Sequence, residues 1–295
     1  MKTTEIFSLK DFFKETDCFS KKMEALRCRP VNDSGILYRG QADEAWPLAT
    51  TLERYGYDQF PLSEYISRIK TLDRLTREQA ENTSLKFEHD FDEIPKEILT
   101  VLSEIRHAGG PSPLLDWTRN RDVALFFAFH KVNAKQVSVY VYLDGVEAGH
   151  GRGACSNFPL IHAIPYSRID PQETHERYGW QESQFTYCFL GGEISDRIFV
   201  SHEKRFNLAE TDQLFSHSDI CMKYVFPARL QPEVSGYLKG RNICEQYLFG
   251  SEGINDKIQW HKFIERKDIL EENKKEELDF LKLNGLIKGE DHERK

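Results

Sequence analysis

Apolar residues recur at helical spacing through much of the first half of this chain and alternate through much of the second. Leu62, Tyr65, Ile66, Ile69, Leu72 and Leu75 lie on one face of a helix expected within residues 61–82. Ile94, Ile98, Leu99, Leu102 and Ile105 repeat the pattern, and Gly109-Gly110-Pro111 ends it. Residues 122–131 are apolar on nearly every side, as expected of a helix buried all round. Its start offers Thr118 and Asn120 as caps. Residues 137–143, Val-Ser-Val-Tyr-Val-Tyr-Leu, alternate and predict a strand. Further strands are expected at 160–164, 184–189, 197–200 and 220–226. An earlier one is expected at Ile36-Leu37-Tyr38, entered from the turn-rich Asn32-Asp33-Ser34-Gly35 and ending at Arg39-Gly40. Helices early and strands late predict an α+β fold, not a regular βαβ repeat.

The ends read differently. Phe7, Leu9, Phe12 and Phe13 form one stripe of an amphipathic lead-in over residues 1–30. Residues 265–295 form a charged segment, with a helix at 268–283 and a frayed tail. Between them, residues 31–264 are expected to form the main domain.

Composition narrows the partners. The chain has 295 residues and can bury a core without staples. Its net charge is -8, which argues against the broad basic footprint of a nonspecific nucleic-acid binder. No two of the six cysteines are closer than ten residues, so zinc-ribbon spacing is excluded. Scattered His150, His162 and His175 give a metal site no support, and none is expected. Met1 to Glu5 lacks a leader pattern and no apolar run reaches eighteen residues. The expectation is a cytoplasmic protein without membrane spans, with reduced and mostly buried thiols.

The chemistry concentrates in three polar islands set in apolar sequence. In the first, Tyr38-Arg39-Gly40-Gln41, the planar Arg39 fork suits phosphate or carboxylate. Gly40 permits close backbone approach. The plainer reading of Arg39 is an ion pair with Asp116. The second island is Asp116-Trp117-Thr118, entering the apolar helix. Asp116 caps that helix or holds Arg39. Trp117 offers a flat face to a base or nicotinamide, or else it is core. Thr118 reaches a ribose or caps. The third island runs from Trp180 through Gln181, Glu182, Ser183 and Gln184 to Tyr187, with Glu182 its one carboxylate. His107, ahead of Gly109-Gly110, is a further candidate beside a structural reading. No Walker loop, GxGxxG, HExxH or GxSxG occurs.

These segments resemble the FRG domain, named for a Phe-Arg-Gly motif that reads Tyr38-Arg39-Gly40 here, followed by Gln41 and Trp46-Pro47-Leu48. The family's second signature, a His-x-Gly stretch leading to Leu-Leu-Asp-Trp-Thr and an apolar helix, is similar to residues 107–127. Ser112-Pro113 stands where that family has Thr-Arg. Gln181 to Phe185 resembles a third element, with Ser183 in place of its glycine. The resemblance extends over roughly residues 30–260. More distantly, the order of islands is similar to that of arginine-type ADP-ribosyltransferases. These have an Arg-ended strand, a Ser-Thr-Ser strand before a Val-Ala-Leu-x-Phe-Ala helix, and a late catalytic Glu. Val123 to Ala128 matches the helix, while Asp116-Trp117-Thr118 replaces Ser-Thr-Ser and Glu182 is not in a Glu-x-Glu setting.

That likeness implies a split β-sheet and NAD as substrate, used by an ADP-ribosyltransferase or NAD glycohydrolase acting as a toxin or phage-defence effector. It implies catalytic roles for Glu182, Arg39 and Asp116. It places Tyr38, Arg39, Gly40, Gln41, His107, Trp117, Thr118, Gln181 and Gln184 around the nucleotide. The acceptor is an unnamed protein or nucleic acid. A carboxylate near the ribose would offset the positive charge that grows as the glycosidic bond breaks, and Arg39 would hold the diphosphate. Two alternatives stay open: a non-catalytic module that binds a nucleotide or protein as a sensor, and an RNA-targeting nuclease-like effector.

Overall fold

The computed structural model describes residues 1–27, 35–57, 59–65, 99, 102–103, 105–106, 109–143, 159–165, 179, 181–190, 197–208 and 220–249. The described residues all fall within one compact unit, residues 1–253. The charged helix expected at 268–283, and most of the helices expected at 61–82 and 94–105, lie outside them.

The fold is α+β, built on one mixed sheet with helices on both faces. Its strands are β1 (Lys2–Glu5), β2 (Ile36–Gln41), β3 (Phe60–Pro61), β4 (Leu115–Thr118), β5 (Gln136–Leu143), β6 (Leu160–Pro165), β7 (Ser183–Leu190), β8 (Ile198–Phe199) and β9 (Ile220–Pro227). The order across the sheet is β1-β9-β5-β2-β4-β7-β8-β3, with β6 also paired to β7. The helices are α1 (Leu9–Arg27), α2 (Thr51–Arg54), α3 (Arg121–Phe129), α4 (His202–Leu208), α5 (Gln231–Lys239) and α6 (Glu245–Phe249).

The central ladders are long. β2 pairs with β5 from Ile36↔Leu143 to Gln41↔Ser138, and β5 pairs with β9 along its whole length. On the other side β4 pairs with β7 from Leu115↔Thr186 to Thr118↔Ser183. Between these two blocks the ladder of β2 with β4 is a single pair, Tyr38↔Thr118. Beyond that pair the strands part, and the sheet opens into a cleft.

The alternating β5 sequence is buried on both faces. Val137, Val139, Val141 and Leu143 pack with α3, while Tyr140 and Tyr142 join Leu37, Leu115, Trp117 and Phe206 on the opposite face. The strand is therefore central, and its polar-looking tyrosines are core. Helix α3 is nearly all buried, as its composition predicts: Val123, Ala124, Leu125, Phe126, Ala128 and Phe129 are buried, and only Phe127 among its apolar residues is partly open.

Several expectations are corrected. Asp116 and Thr118 do not cap α3. They lie in a strand, and the cap is Asn120, whose Oδ1 accepts from Asp122 N (2.9 Å) and Val123 N (3.4 Å). An Asn closer to the first turn has the shorter reach to those N–H groups. Of the stripe Phe7-Leu9-Phe12-Phe13, Leu9 and Phe12 are buried and Phe13 packs partly buried against the core, and only Phe7 departs from the expectation. Phe7 is exposed, and the buried positions are Ile6, Leu9, Phe12, Thr16 and Phe19. Phe12 sits edge-on to Tyr224 and Phe226, with centroids 5.5 and 5.1 Å apart. Strand β1, unforeseen in its polar sequence, pairs parallel with β9. Among the described cysteines Cys188 and Cys221 are buried, but Cys18 and Cys244 are exposed. No helix among the described residues is long and apolar enough to cross a membrane.

Candidate functional site

The parting of β2 from β4 forms a cleft of about 320 Å³. β2 contributes Tyr38, Arg39 and Gly40, and β4 contributes Asp116, Trp117 and Thr118. Gln181, Ser183 and Phe185 close it from the turn and strand of β7. Phe127 of α3, Phe249 of α6 and Arg106 complete the wall. All three islands therefore meet at one place.

The meeting is hydrogen-bonded. Thr118 Oγ1 donates to the Gln181 carbonyl (2.6 Å) and accepts from Asn120 N (3.0 Å). Arg119 N donates to the Glu182 carbonyl (3.1 Å), and Asn120 Nδ2 to Glu182 Oε1 (2.8 Å). Gln181 Nε2 in turn donates to the Leu248 carbonyl (3.0 Å), which anchors α6 beside the cleft.

Arg39 is the electrostatic centre. Its side chain is 11% exposed, its Nη1 donates to the Asp116 carbonyl (2.7 Å), and the same nitrogen stands 3.7 Å from Asp116 Oδ2. Arg106 Nη2 binds that Oδ2 directly. The expected pairing of Arg39 with Asp116 is thus present, but it is shared with Arg106. Burial lowers the Arg39 pKa to about 10; Asp116 opposes the shift, while Arg106 and Arg54 add to it. Arg39 still carries its charge at neutral pH. Among the described residues its Nε and that of Arg106 are buried without a hydrogen-bond partner.

The other predicted site residues divide. Gly40 serves the packing of α3: a Cβ there would fall on the Ala124 carbonyl oxygen. Trp117 borders the cleft, yet its indole is 3% exposed and committed to core. The ring packs on Tyr142 (5.4 Å) and Phe206 (6.5 Å), and Nε1–H donates to Thr186 Oγ1 (2.8 Å). Gln184 is buried and does not line the cleft; with its carbonyl oxygen turned toward Arg119, it accepts from Nε at 2.7 Å. Gln41 also lies off the cleft, its Nε2 on the Pro47 carbonyl (3.3 Å). Glu182 is exposed, at a turn with φ 47°, and does not line the cleft. His107 lies outside the described residues.

Arg106, Phe127, Phe185 and Phe249 line the cleft without having been singled out in the sequence. The phenylalanines read as core by composition, and Arg106 as the polar face of a helix.

Behind the cleft, Thr186 Oγ1 is also 2.9 Å from Nε2 of the fully buried His202. Burial, with Arg39 adding to it, lowers the His202 pKa from 6.5 to about 3. The folded chain holds this ring neutral, while the unfolded chain protonates it as pH falls through 6.5. Its contribution to stability is therefore present above that pH and is lost progressively toward pH 3, at about 1.4 kcal/mol per unit. Urea denaturation at pH 7.5 and 5.5 is expected to show a loss of about 1.4 kcal/mol attributable to this group. His202→Gln should flatten the dependence by that amount. An equal slope in both proteins would show that His202 is protonated in the fold.

Residues 34–137 match the family model of the FRG domain. The chain carries an FRG domain, whose matched residues hold two of the three islands; Gln181 and Glu182 lie beyond them. No curated protein and no solved structure was found to match the chain.

Proposed function

We propose that the cleft binds a nucleotide, NAD or a related dinucleotide, and that this chain is a nucleotide-using effector. One observation carries the reading. The arginine of the first island and the aspartate of the second, 77 residues apart, meet where the sheet splits, beside a wall of Tyr38, Phe127, Phe185 and Phe249. Guanidinium groups favour phosphate. Aromatic walls favour a base or a nicotinamide ring. The split-sheet geometry also suits the likeness to ADP-ribosyltransferases, whose chemistry would break the nicotinamide bond and pass ADP-ribose to water, a protein or a nucleic acid. Such activity would serve a toxin or phage-defence effector.

In that reaction Arg39 would hold the phosphates, and the phenylalanine wall, not the Trp117 indole, would face the ring. The carboxylate opposing the growing ribose charge would be Glu182. Asp116 is already bound by two arginines, so its charge is largely spent. Glu182 would have to leave Asn120 and turn inward from its exposed position. That requirement favours a second reading, a nucleotide sensor that binds without cleavage.

Calorimetry with NAD is expected to show binding that Arg39→Ala weakens by about 1.5–3 kcal/mol. Glu182→Gln should leave binding intact and slow the release of nicotinamide, because a neutral amide cannot offset the developing positive charge. Radiolabelled NAD would show the acceptor. Absence of heat and of thermal protection at millimolar NAD would overturn the nucleotide reading. Binding without any nicotinamide release would select the sensor.

A further inference from the structure

The strand register sorts the polar groups of the cleft into two rows on one face of the sheet. Tyr38 pairs with Thr118, and Thr118 with Ser183, so their side chains leave the sheet on the same side. Two residues along, Asp116 pairs with Phe185 on that side. This second row is the charged one: Arg39 Nη1 donates to the Asp116 carbonyl (2.7 Å), and Arg106 Nη2 binds Asp116 Oδ2. The first row carries no charge. Two strand residues separate the rows, a rise of about 7 Å.

The neutral row holds hydrogen-bonding capacity that the fold does not use. The Thr118 hydroxyl is spent, donating to the Gln181 carbonyl (2.6 Å) and accepting from Asn120 N (3.0 Å). Gln181 Nε2 is spent on the Leu248 carbonyl (3.0 Å), which only accepts, so Oε1 is the free end of that amide. Ser183 is 7% exposed and lines the cleft, as Gln181 does. Among the described residues neither Ser183 Oγ nor Gln181 Oε1 has a hydrogen-bond partner, and neither is sealed from solvent. A ligand that fills the cleft strips both groups of water, and an apolar filling would leave them unpaired at a cost. An acceptor together with a hydroxyl that donates or accepts is answered by hydroxyl groups on the ligand.

We infer that Ser183, with Gln181 Oε1 as a second acceptor, reads a ribose hydroxyl, and that the cleft selects ribonucleotides over their deoxy counterparts. The inference rests on the nucleotide reading and deepens it. With a phosphate at Arg39, the ribose of the same nucleotide falls at the Thr118–Ser183 row, and the ring it carries meets Phe127 and Phe249. The separation of the rows suits that order, because several bonds part a nucleotide's phosphate from its sugar hydroxyls. Ser183 is then a specificity-determining residue. A site built to hydrogen-bond a hydroxyl rejects the analogue that lacks it, because the site's own polar group is left unpaired.

The test uses the full chain and three probes: NAD and its two analogues lacking the 2′ or the 3′ hydroxyl of the nicotinamide ribose. Ser183→Ala removes one hydroxyl and leaves the backbone ladder in place, and thermal unfolding checks that the fold survives. The expected result is a rise of about five- to tenfold in the Kd for NAD. One of the two analogues should bind wild type weaker than NAD by a similar factor, and its Kd should change by less than about twofold on Ser183→Ala, since the bond is already lost. Ser183→Thr keeps the hydroxyl and should recover part of the NAD affinity. If NAD binds wild type and Ser183→Ala alike, the inference falls and the nucleotide reading stands. If the substitution weakens NAD and both analogues equally, the serine acts on the shape of the cleft and the inference falls. If none of the three probes binds wild type, both fall.

Discussion

Replacing Trp117 with alanine is expected to lower stability by about 3–5 kcal/mol, the cost of emptying a large buried aromatic site. The indole is 3% exposed and lies among Leu37, Leu115, Tyr142 and Phe206. The change also strips Thr186 Oγ1 of the Nε1–H donor and leaves it its contact with His202 Nε2. Urea denaturation would give the loss as a fall in midpoint at nearly constant slope. Trp117→Phe should recover most of the packing and forfeit the hydrogen bond, which is worth about 1 kcal/mol. The result bears on function as well as on folding. A ring that stacked on a ligand would leave the empty protein stable when removed and would weaken nucleotide binding instead. An alanine variant as stable as wild type would restore the ligand-stacking role that the packing argues against.

Gly40→Ala is expected to be nearly as damaging. Its Cβ would collide with the Ala124 carbonyl oxygen and stand 2.5 Å from Ala128 N. Both atoms belong to the backbone of α3, so no side-chain rotation relieves the clash. The helix would have to move off the sheet, and α3 is buried on nearly every side. Overpacking of this kind costs about 3 kcal/mol or more when the backbone must shift. Because Phe127 of α3 and Tyr38 of β2 both line the cleft, a variant that still folds should also bind nucleotide more weakly. Melting temperature and calorimetry on one preparation would separate the two effects. An unchanged melting temperature would mean that α3 does not rest on β2. The glycine of the Tyr-Arg-Gly triplet is then explained by helix packing on the sheet, and its neighbour Arg39 by the cleft.

Much of this was legible in the chain. The run at 122–131 could only be a buried helix, because no face of it is polar. Residues 36–38, 137–143, 184–189 and 220–226 announced strands through alternation and β-branched or aromatic content. Arg39 and Asp116 stood out because each polar island interrupts apolar sequence, and the structure brings them together. Glu182 and Trp117 show where such reading stops. Both stand in polar islands as Arg39 does. Which way a side chain points depends on the parity of its strand position and on where a turn falls.

The sequence by itself determined the α+β class, the buried helix, the central strands and the chemical character of the islands. These follow from local periodicity and from transfer free energy, which act residue by residue. Only the tertiary structure decided that β2 and β4 share one residue pair before they part. It alone turned the Trp117 indole into the core, made Asn120 the cap, and drew Arg106 to the same carboxylate as Arg39. Those outcomes depend on pairing register and on the approach of segments tens of residues apart. Register flips a side chain from one face of a sheet to the other with a shift of one residue, and nothing in the local pattern of a four-residue strand selects between the two.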